Sequence, residues 1–501
     1  MSNDVVTNEI PDFVLELSNG KKLIETHISY VILDQHHVFK IKKSIRLDFL
    51  DFSTLEKRKF FCEEEIRLNT RLAPNVYLTT VQIRLNEHGH FFTNNDANAH
   101  GELVDYAVKM NRFEEKNLLT SLISNQTLAS TTILDLGRRL AQFHKEDKSI
   151  SVQDHFSRVQ EMATENLEIA SRYIGKTLSV EQHRIISKFT SVELEKFKVL
   201  IKDRGVNGRV KECHGDLHGN NIALVNGHLE AFDGIEFSDK YRYIDTMYDL
   251  AFLYMDLQQR GASEEANLLL NVYLEVSGDY EGAALIPLYA CMRAVIRGYV
   301  TAMQAEIGDD ASEENTTESK QFFELAHHYA TSIKPSKIIC THGPSGIGKS
   351  TVARKLSKRI QAVILRSDAI RKIELKDISK TELYNYENTI RVYKRMIALG
   401  EFLYMNGWPI ILDATFLQKE FRKLVLESYE KIPFVFLNLS APAEMIKQRL
   451  AERDKDISDA TKEVLLDQLE MIEPISSEEN LPTISIDLSE EINIDKVILD
   501  L

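Results

Sequence analysis

The chain has 501 residues, 43% hydrophobic and 27% charged, with a net charge of −15 at pH 7. This length exceeds one ordinary core and implies two or more folding units, and no run of about 18 apolar residues offers a bilayer span. The acidity disfavours nonspecific attraction to nucleic acid or an anionic membrane, and Cys62, Cys213, Cys291 and Cys340, scattered without Cys-x-x-Cys spacing, indicate neither a disulfide framework nor a zinc site. The polar, acidic N-terminus lacks the basic start and apolar stretch of a secretory signal, so a cytoplasmic protein is expected.

Residues 23–43 alternate polar and apolar side chains, predicting two strands joined by a turn at Asp34-Gln35-His36. Glu56 to Arg71 reads as a helix with Phe60, Phe61, Ile66 and Leu68 on apolar faces, ended by Pro74, and Tyr77–Leu85 and Leu103–Met110 read as further strands. Beyond residue 115 the pattern turns helical, with Ile133, Leu136, Leu140 and Phe143 at intervals of three and four. Residues 308–318, acidic and poor in apolar side chains, read as a solvated loop, and a last helix carries Phe322, Leu325 and Tyr329. From 337 onward, apolar runs at Ile338–Cys340, Ala362–Leu365, Ile410–Leu412 and Phe434–Leu437 alternate with helical patterns, the βαβ rhythm of a parallel sheet. The expected division is therefore 1–332, with a β-rich first lobe to about 110 and a helical second lobe over 111–332, a linker at 333–336, and an α/β domain over 337–501.

In the first segment His214-Gly-Asp216-Leu-His-Gly-Asn-Asn221 keeps the five-residue Asp-to-Asn interval of a kinase catalytic loop, in which the aspartate receives a hydroxyl proton and the asparagine holds magnesium. Asp233 follows a short strand at the interval expected of a second metal-binding carboxylate. Upstream, Lys40 in Val38-Phe39-Lys40 fits the strand lysine that binds ATP phosphates, with Lys42 on the same face as the competing choice. Glu65 is the expected partner of that lysine, Glu64 the next choice. Asp249 is expected to anchor the catalytic loop from below.

In the second segment Gly343-Pro-Ser-Gly346-Ile-Gly348-Lys349-Ser350-Thr351 lies between a strand and a helix, the context a P-loop requires, because backbone N–H groups and a helix N-terminus cradle phosphates there. Lys349 is assigned to the β and γ phosphates and Ser350 to magnesium. Asp368 ends the second strand and is the candidate base for an acceptor hydroxyl, its structural alternative being a helix N-cap. Asp413 follows another buried strand and is assigned to magnesium or its water; Arg449 and Arg453, four apart on one helical face, are candidates to close over the γ phosphate, a solvated charged helix being the alternative.

Arg366-Ser-Asp368-x-x-Arg371, Asp413-Ala-Thr-Phe with Arg422 downstream, and Arg449-x-x-x-Arg453 make residues 337–501 similar to P-loop kinases of the polynucleotide kinase and gluconate kinase type, including the zeta-toxin-like grouping. His214-Gly-Asp-Leu-His-x-x-Asn221 makes residues 1 to about 330 resemble the aminoglycoside phosphotransferase family, and the whole arrangement resembles bacterial bifunctional aminoglycoside phosphotransferase and ATP-binding proteins. The resemblance implies a protein-kinase-like fold fused to a P-loop kinase, with ATP and Mg2+ as cofactors and a hydroxyl-bearing acceptor, a small molecule before a nucleic-acid end. One departure is that the first strand loop, Glu25-Thr-His-Ile-Ser29, lacks a glycine-rich turn, so Thr26 and Ser29 are expected to substitute through hydroxyl and backbone donors. That departure also motivates an alternative, a nucleotide-sensing pseudokinase half that controls the second.

Overall fold

The computed structural model describes residues 10–47, 50–94, 100–146, 149–307, 312–332, 337–379, 382–442, 444–446, 448 and 472–501. The expected linker 333–336 lies outside them. By compactness the chain forms two units, one of Met1–His155 with Lys202–Asp249 and one of Phe156–Ile201 with Leu250–Leu501. The helical stretch after residue 250 thus groups with the P-loop segment.

The first unit is built on an antiparallel sheet of six strands in the order β1-β2-β3-β8-β6-β7. Its strands are β1 (Lys22–Glu25), β2 (Ser29–Leu33), β3 (His37–Lys42), β6 (Tyr77–Leu85), β7 (Phe91–Asn94) and β8 (Glu102–Asn111); the two-residue β4 (Arg46–Leu47) and β5 (Leu50–Asp51) form a separate ribbon. Two strands expected over 23–43 are thus three, because Thr26 folds the chain back: its hydroxyl accepts from Ser29 N–H at 2.9 Å while its own N–H donates to the Ser29 carbonyl. Helix α1 (Asp12–Leu17) adds Val14 to the core on one sheet face, with Tyr30, Ile32, Ile41, Val81 and Ile83. Helix α2 (Leu55–Asn69) starts where Thr54 accepts from Lys57 N–H, and its buried stripe is Arg58, Cys62, Glu65, Leu68 and Asn69. Phe60, expected on an apolar face, is instead 54% exposed and lies off that buried stripe. After α3 (Leu119–Ser124) and α4 (Ser130–Glu146), which buries Ile133, Leu136, Leu140 and Phe143, short ribbons pair β9 (Val210–Glu212) with β12 (Tyr243–Asp245) and β10 (Ile222–Val225) with β11 (His228–Ala231). The antiparallel sheet, the helix between β5 and β6 and the ribbons around the His-Gly-Asp loop give a protein-kinase-like fold.

The second unit combines helices with a parallel sheet. Helices α5 (His155–Ser171), α6 (Val180–Lys196), α9 (Thr246–Gln259), α10 (Ser263–Ser277), α11 (Ile286–Ile307) and α12 (Ser312–Thr331) run wholly or largely through it; α7 (Lys198–Val206) is divided between the two units, and the short α8 (Asp239–Arg242) belongs to the first. Of the loop expected over 308–318, residues 308–311 lie outside the described residues and 312–318 are the first turns of α12; Glu313 and Glu314 complement its N-terminal dipole, and Ser319, Phe322 and Phe323 are buried, Ser319 donating to the Gly298 carbonyl of α11 at 2.7 Å. Against the expectation that no stretch offers a bilayer span, residues 281–306 are long and apolar enough to cross a membrane by length and composition, yet 72% of their most apolar 18-residue window is buried within the protein.

The sheet order is β14-β15-β13-β16-β17, parallel throughout, from β13 (Ile338–His342), β14 (Val363–Arg366), β15 (Ile410–Asp413), β16 (Phe434–Ser440) and β17 (Thr483–Asp487). The first four coincide with the apolar runs of the sequence; β17 was not foreseen. Helices α13 (Lys349–Ile360), α14 (Ser367–Glu374), α15 (Tyr386–Met405) and α16 (Lys419–Ser428) connect them. All four cysteines are buried free thiols, and burial pushes Cys62 and Cys291 up to about 12.

Two candidate active sites

Strand β3 presents Lys40 and Lys42 on one face, and α2 brings Glu65 beneath both. The Glu65 carboxylate accepts from Lys40 Nζ at 2.9 Å and from Lys42 Nζ at 2.8 Å. Each lysine has a second acid: Lys40 pairs with Asp233, and Lys42 with Glu236 three residues later. Burial alone would lower the Lys40 ammonium, but Asp233, Glu65 and Glu236 together raise it well above the ordinary lysine range. Against the cost of its own burial, Lys40 and Lys42 hold Glu65 down at about 2. Glu64 turns to Arg67 instead. The side chains of Lys42 and Lys40 are 0% and 12% exposed, so neither lysine is an exposed strand charge.

The His-Gly-Asp loop is held from one carboxylate. Asp249, in the first turn of α9, accepts from His214 N–H at 3.1 Å and Gly215 N–H at 2.8 Å and meets His144 Nε2 at 3.2 Å. Gly215 has φ +84°, and a Cβ there would lie 2.8 Å from the Tyr241 carbonyl oxygen, so the position admits only glycine without a shift. Burial pushes the His214 ring down, and its Nε2–H donates to the Phe232 carbonyl at 2.9 Å. Asp216 keeps its carboxylate 41% exposed, and Asn221 Nδ2 donates to both the Asp216 carbonyl and Oδ2 at 3.0 Å. Asp233, at φ +60°, keeps its carboxylate 47% exposed beside Lys40. The turn at Thr26 consumes the Thr26 hydroxyl, while the Ser29 hydroxyl is buried and has no hydrogen-bond partner among the described residues.

At the P-loop, Gly343, Gly346 and Gly348 take φ of 140°, 81° and 115°, which turn the strand end into the first turn of α13. Lys349 Nζ donates to the Pro344 carbonyl at 2.9 Å, curled over the loop, and Thr351 is exposed one residue past Ser350. Ser350 Oγ donates to Asp413 Oδ2 at 2.7 Å, so the first turn of α13 and the end of β15 bring the two magnesium candidates together. Asp368 sits half-buried in the first turn of α14; the cap position is Arg366, so Asp368 is not the N-cap. Burial raises the buried Tyr393 hydroxyl, with nearby Asp368 adding to the rise, and that hydroxyl meets Thr415 Oγ1 at 3.1 Å. Arg422 is structural: it forms a buried two-pronged pair with Glu479, 2.8 Å on each side, and donates to the Phe416 and Leu417 carbonyls. Arg449 and Arg453 lie outside the described residues.

Residues 338–475 match the model of the AAA domain family. Over 456 residues, 88% of each chain, the protein is 28% identical to uncharacterized proteins of Mycobacterium tuberculosis and Mycobacterium bovis. Among solved structures it is similar to a sugar kinase from Janibacter (21% identity, 33% of this chain and 92% of that one, TM-score 0.27). It is also similar to a choline kinase from Cryptosporidium parvum (11% identity, 61% and 88%, TM-score 0.36).

Both constellations suit a hard divalent cation. Asn221, which meets Asp216, and Asp233 in the first, and Ser350 with Asp413 in the second, carry oxygen donors of the kind magnesium takes. Sequence reasoning did not anticipate Glu236 as the acid of Lys42, nor Arg366 at 3.4 Å from Asp413. The only signal for either was a charged residue next to an assigned one.

Proposed function

We propose that the protein is a tandem ATP-dependent phosphotransferase that delivers the γ-phosphoryl group to hydroxyl acceptors, small molecules in preference to nucleic-acid ends, and works in the cytoplasm. The observation that supports the reading is a pair of oxygen-donor clusters, each beside a candidate phosphate-binding lysine: Asp233 pairs with Lys40 and Asn221 donates to Asp216 in the first half, and Ser350, next in sequence to Lys349, donates to Asp413 in the second.

In the first site Lys40, held by Glu65, orients the nucleotide phosphates, and Asp216 takes the proton of the acceptor hydroxyl. Asn221 keeps the Asp216 carboxylate turned toward solvent, where an acceptor enters. In the second, Gly343, Gly346 and Gly348 aim backbone N–H groups at the phosphates, Lys349 leaves the Pro344 carbonyl for the β and γ positions, and Asp368 is the base. Arg449 and Arg453 are assigned to the γ phosphate. Magnesium, held by Asn221 and Asp233 in one site and by Ser350 and Asp413 in the other, supplies charge neutralisation for the transferred group. The aminoglycoside phosphotransferase resemblance gives the first site its reaction type and leaves its acceptor open.

A second reading, a nucleotide-binding first half without turnover, is favoured by the Thr26 turn, whose hydroxyl is already engaged. Incubating the protein with labelled ATP and a cell metabolite extract separates the two. Loss of one labelled product in Asp216→Asn and of another in Lys349→Ala is expected, each by about 10²-fold or more. Unchanged products in Asp216→Asn would give the first half a sensing role, and unchanged products in both variants would sink the phosphotransferase reading.

A further inference from the structure

Helix α10 precedes the P-loop segment by more than sixty residues, yet it is built into that segment's sheet. Strand β14 is an edge of the sheet, and the side chains of α10 pair its backbone: Ile364 N–H donates to Asn271 Oδ1 at 2.7 Å, and the Asn271 and Asn267 amides both donate to the Ala362 carbonyl at 3.0 Å. One helical turn further, the Glu275 carboxylate accepts from Arg366 Nη1 at 3.1 and 3.2 Å. The opposite side of the same guanidinium faces the candidate metal ligands, with Nε 3.4 Å from Asp413 Oδ2 and Nη2 3.4 Å from Ser350 Oγ. The side chains of Arg366 and Asp413 are 6% and 4% exposed, so their charges are answered by neighbours rather than by water. Tyr280, after the end of α10, is buried against this cluster: burial raises its hydroxyl, Glu275 raises it further and Arg366 opposes, and the hydroxyl has no hydrogen-bond partner among the described residues.

We propose that Glu275 is a positioning residue of the P-loop site, contributed by the helical segment that precedes it, and that by holding Arg366 it sets the affinity of Ser350 and Asp413 for a divalent cation. A guanidinium and a cation compete for the Asp413 carboxylate. While Glu275 supplies a carboxylate of its own, the charge of Arg366 is answered on the far side and Asp413 stays available. Replace Glu275 by a neutral amide and the charge of Arg366 bears more heavily on Asp413, 3.4 Å away, so a cation must displace a stronger ion pair to bind. The inference rests on the reading of Ser350 and Asp413 as magnesium ligands.

The test is equilibrium binding of ADP to the full chain across a range of Mg2+ concentrations, followed by calorimetry, so that no turnover is needed. Lys349→Ala identifies which binding event belongs to the P-loop by abolishing it. For that event, Glu275→Gln is expected to raise the half-saturating Mg2+ concentration about tenfold, as loss of a unit charge near a buried site does. Glu275→Asp, which keeps the charge on a shorter arm, should raise it less, about threefold. A purely structural helix contact would lower the unfolding temperature without moving the Mg2+ midpoint. A wild-type midpoint in a cooperatively folded Glu275→Gln protein overturns the proposal; should that variant fail to fold, an unmoved midpoint in Glu275→Asp does the same. If Lys349→Ala removes no binding event, the P-loop reading itself fails and the proposal with it.

Discussion

His342 ends β13 one residue before the glycine loop, and its environment makes it a pH reporter for the P-loop unit. Burial pushes its ring down to about 4 from an ordinary 6.5; the Asn438 bond opposes this, and Arg422 and Lys349 add to it. A base whose folded value is depressed binds fewer protons folded than unfolded between those two values, so its contribution is full above pH 6.5 and is lost as pH falls toward 4. The loss amounts to at most about 3 kcal/mol. Denaturant titrations of His342→Gln against the parent should show a shallower decline across that window; parallel declines would remove His342 from the account. Arg422 makes a second case. It was legible as part of a motif, but its role is to pair with Glu479 fifty-seven residues later, so Arg422→Met should cost stability by about 3–5 kcal/mol, read as a fall in denaturation midpoint.

At the scale of elements, local signals carried well and distant ones did not. The Asp216-to-Asn221 spacing and the P-loop were readable because each is a short loop whose neighbours in sequence are its neighbours in space. Lys42 with Glu236 was not, since 194 residues separate the partners, nor was Arg366 with Glu275, 91 apart. The β7 and β17 strands escaped notice because each is short and partly exposed, and only pairing to β6 or β16 defines them. Residues 312–318 looked like a loop because composition reports solvation, and the exposed first turns of α12 are solvated while helical. Packing of α10 on β14 gives its own expectation. Asn271→Leu leaves the Ile364 N–H without its acceptor, at a cost of about 1–3 kcal/mol. Hydrogen exchange at residues 363–366 should accelerate while that in β16 stays unchanged; equal protection would mean that the edge does not depend on α10.

For the whole molecule, the sequence suggests a cut at 333–336, because that is where the βαβ rhythm begins. The compact unit is larger, running from Leu250 to Leu501 and taking in Phe156–Ile201 as well. Trp408, 1% exposed, donates its indole N–H to the Ala283 carbonyl at 3.0 Å and lies edge-on to Tyr254, and Arg395 pairs with Glu281. None of these partners is inside 337–501. A fragment of 337–501 alone should therefore expose Trp408 and the β14 edge, with red-shifted tryptophan emission and poor solubility; a native-like emission maximum would show that the segment folds without its helices.

The central claim is that one chain holds two nucleotide sites, and counting them is the most direct check. Equilibrium titration of the full chain with Mg·ATP analogue should give two nucleotides bound, falling to one in Lys349→Ala and to one in Lys40→Ala. A wild-type count of one, or a count unmoved by either substitution, would contradict it.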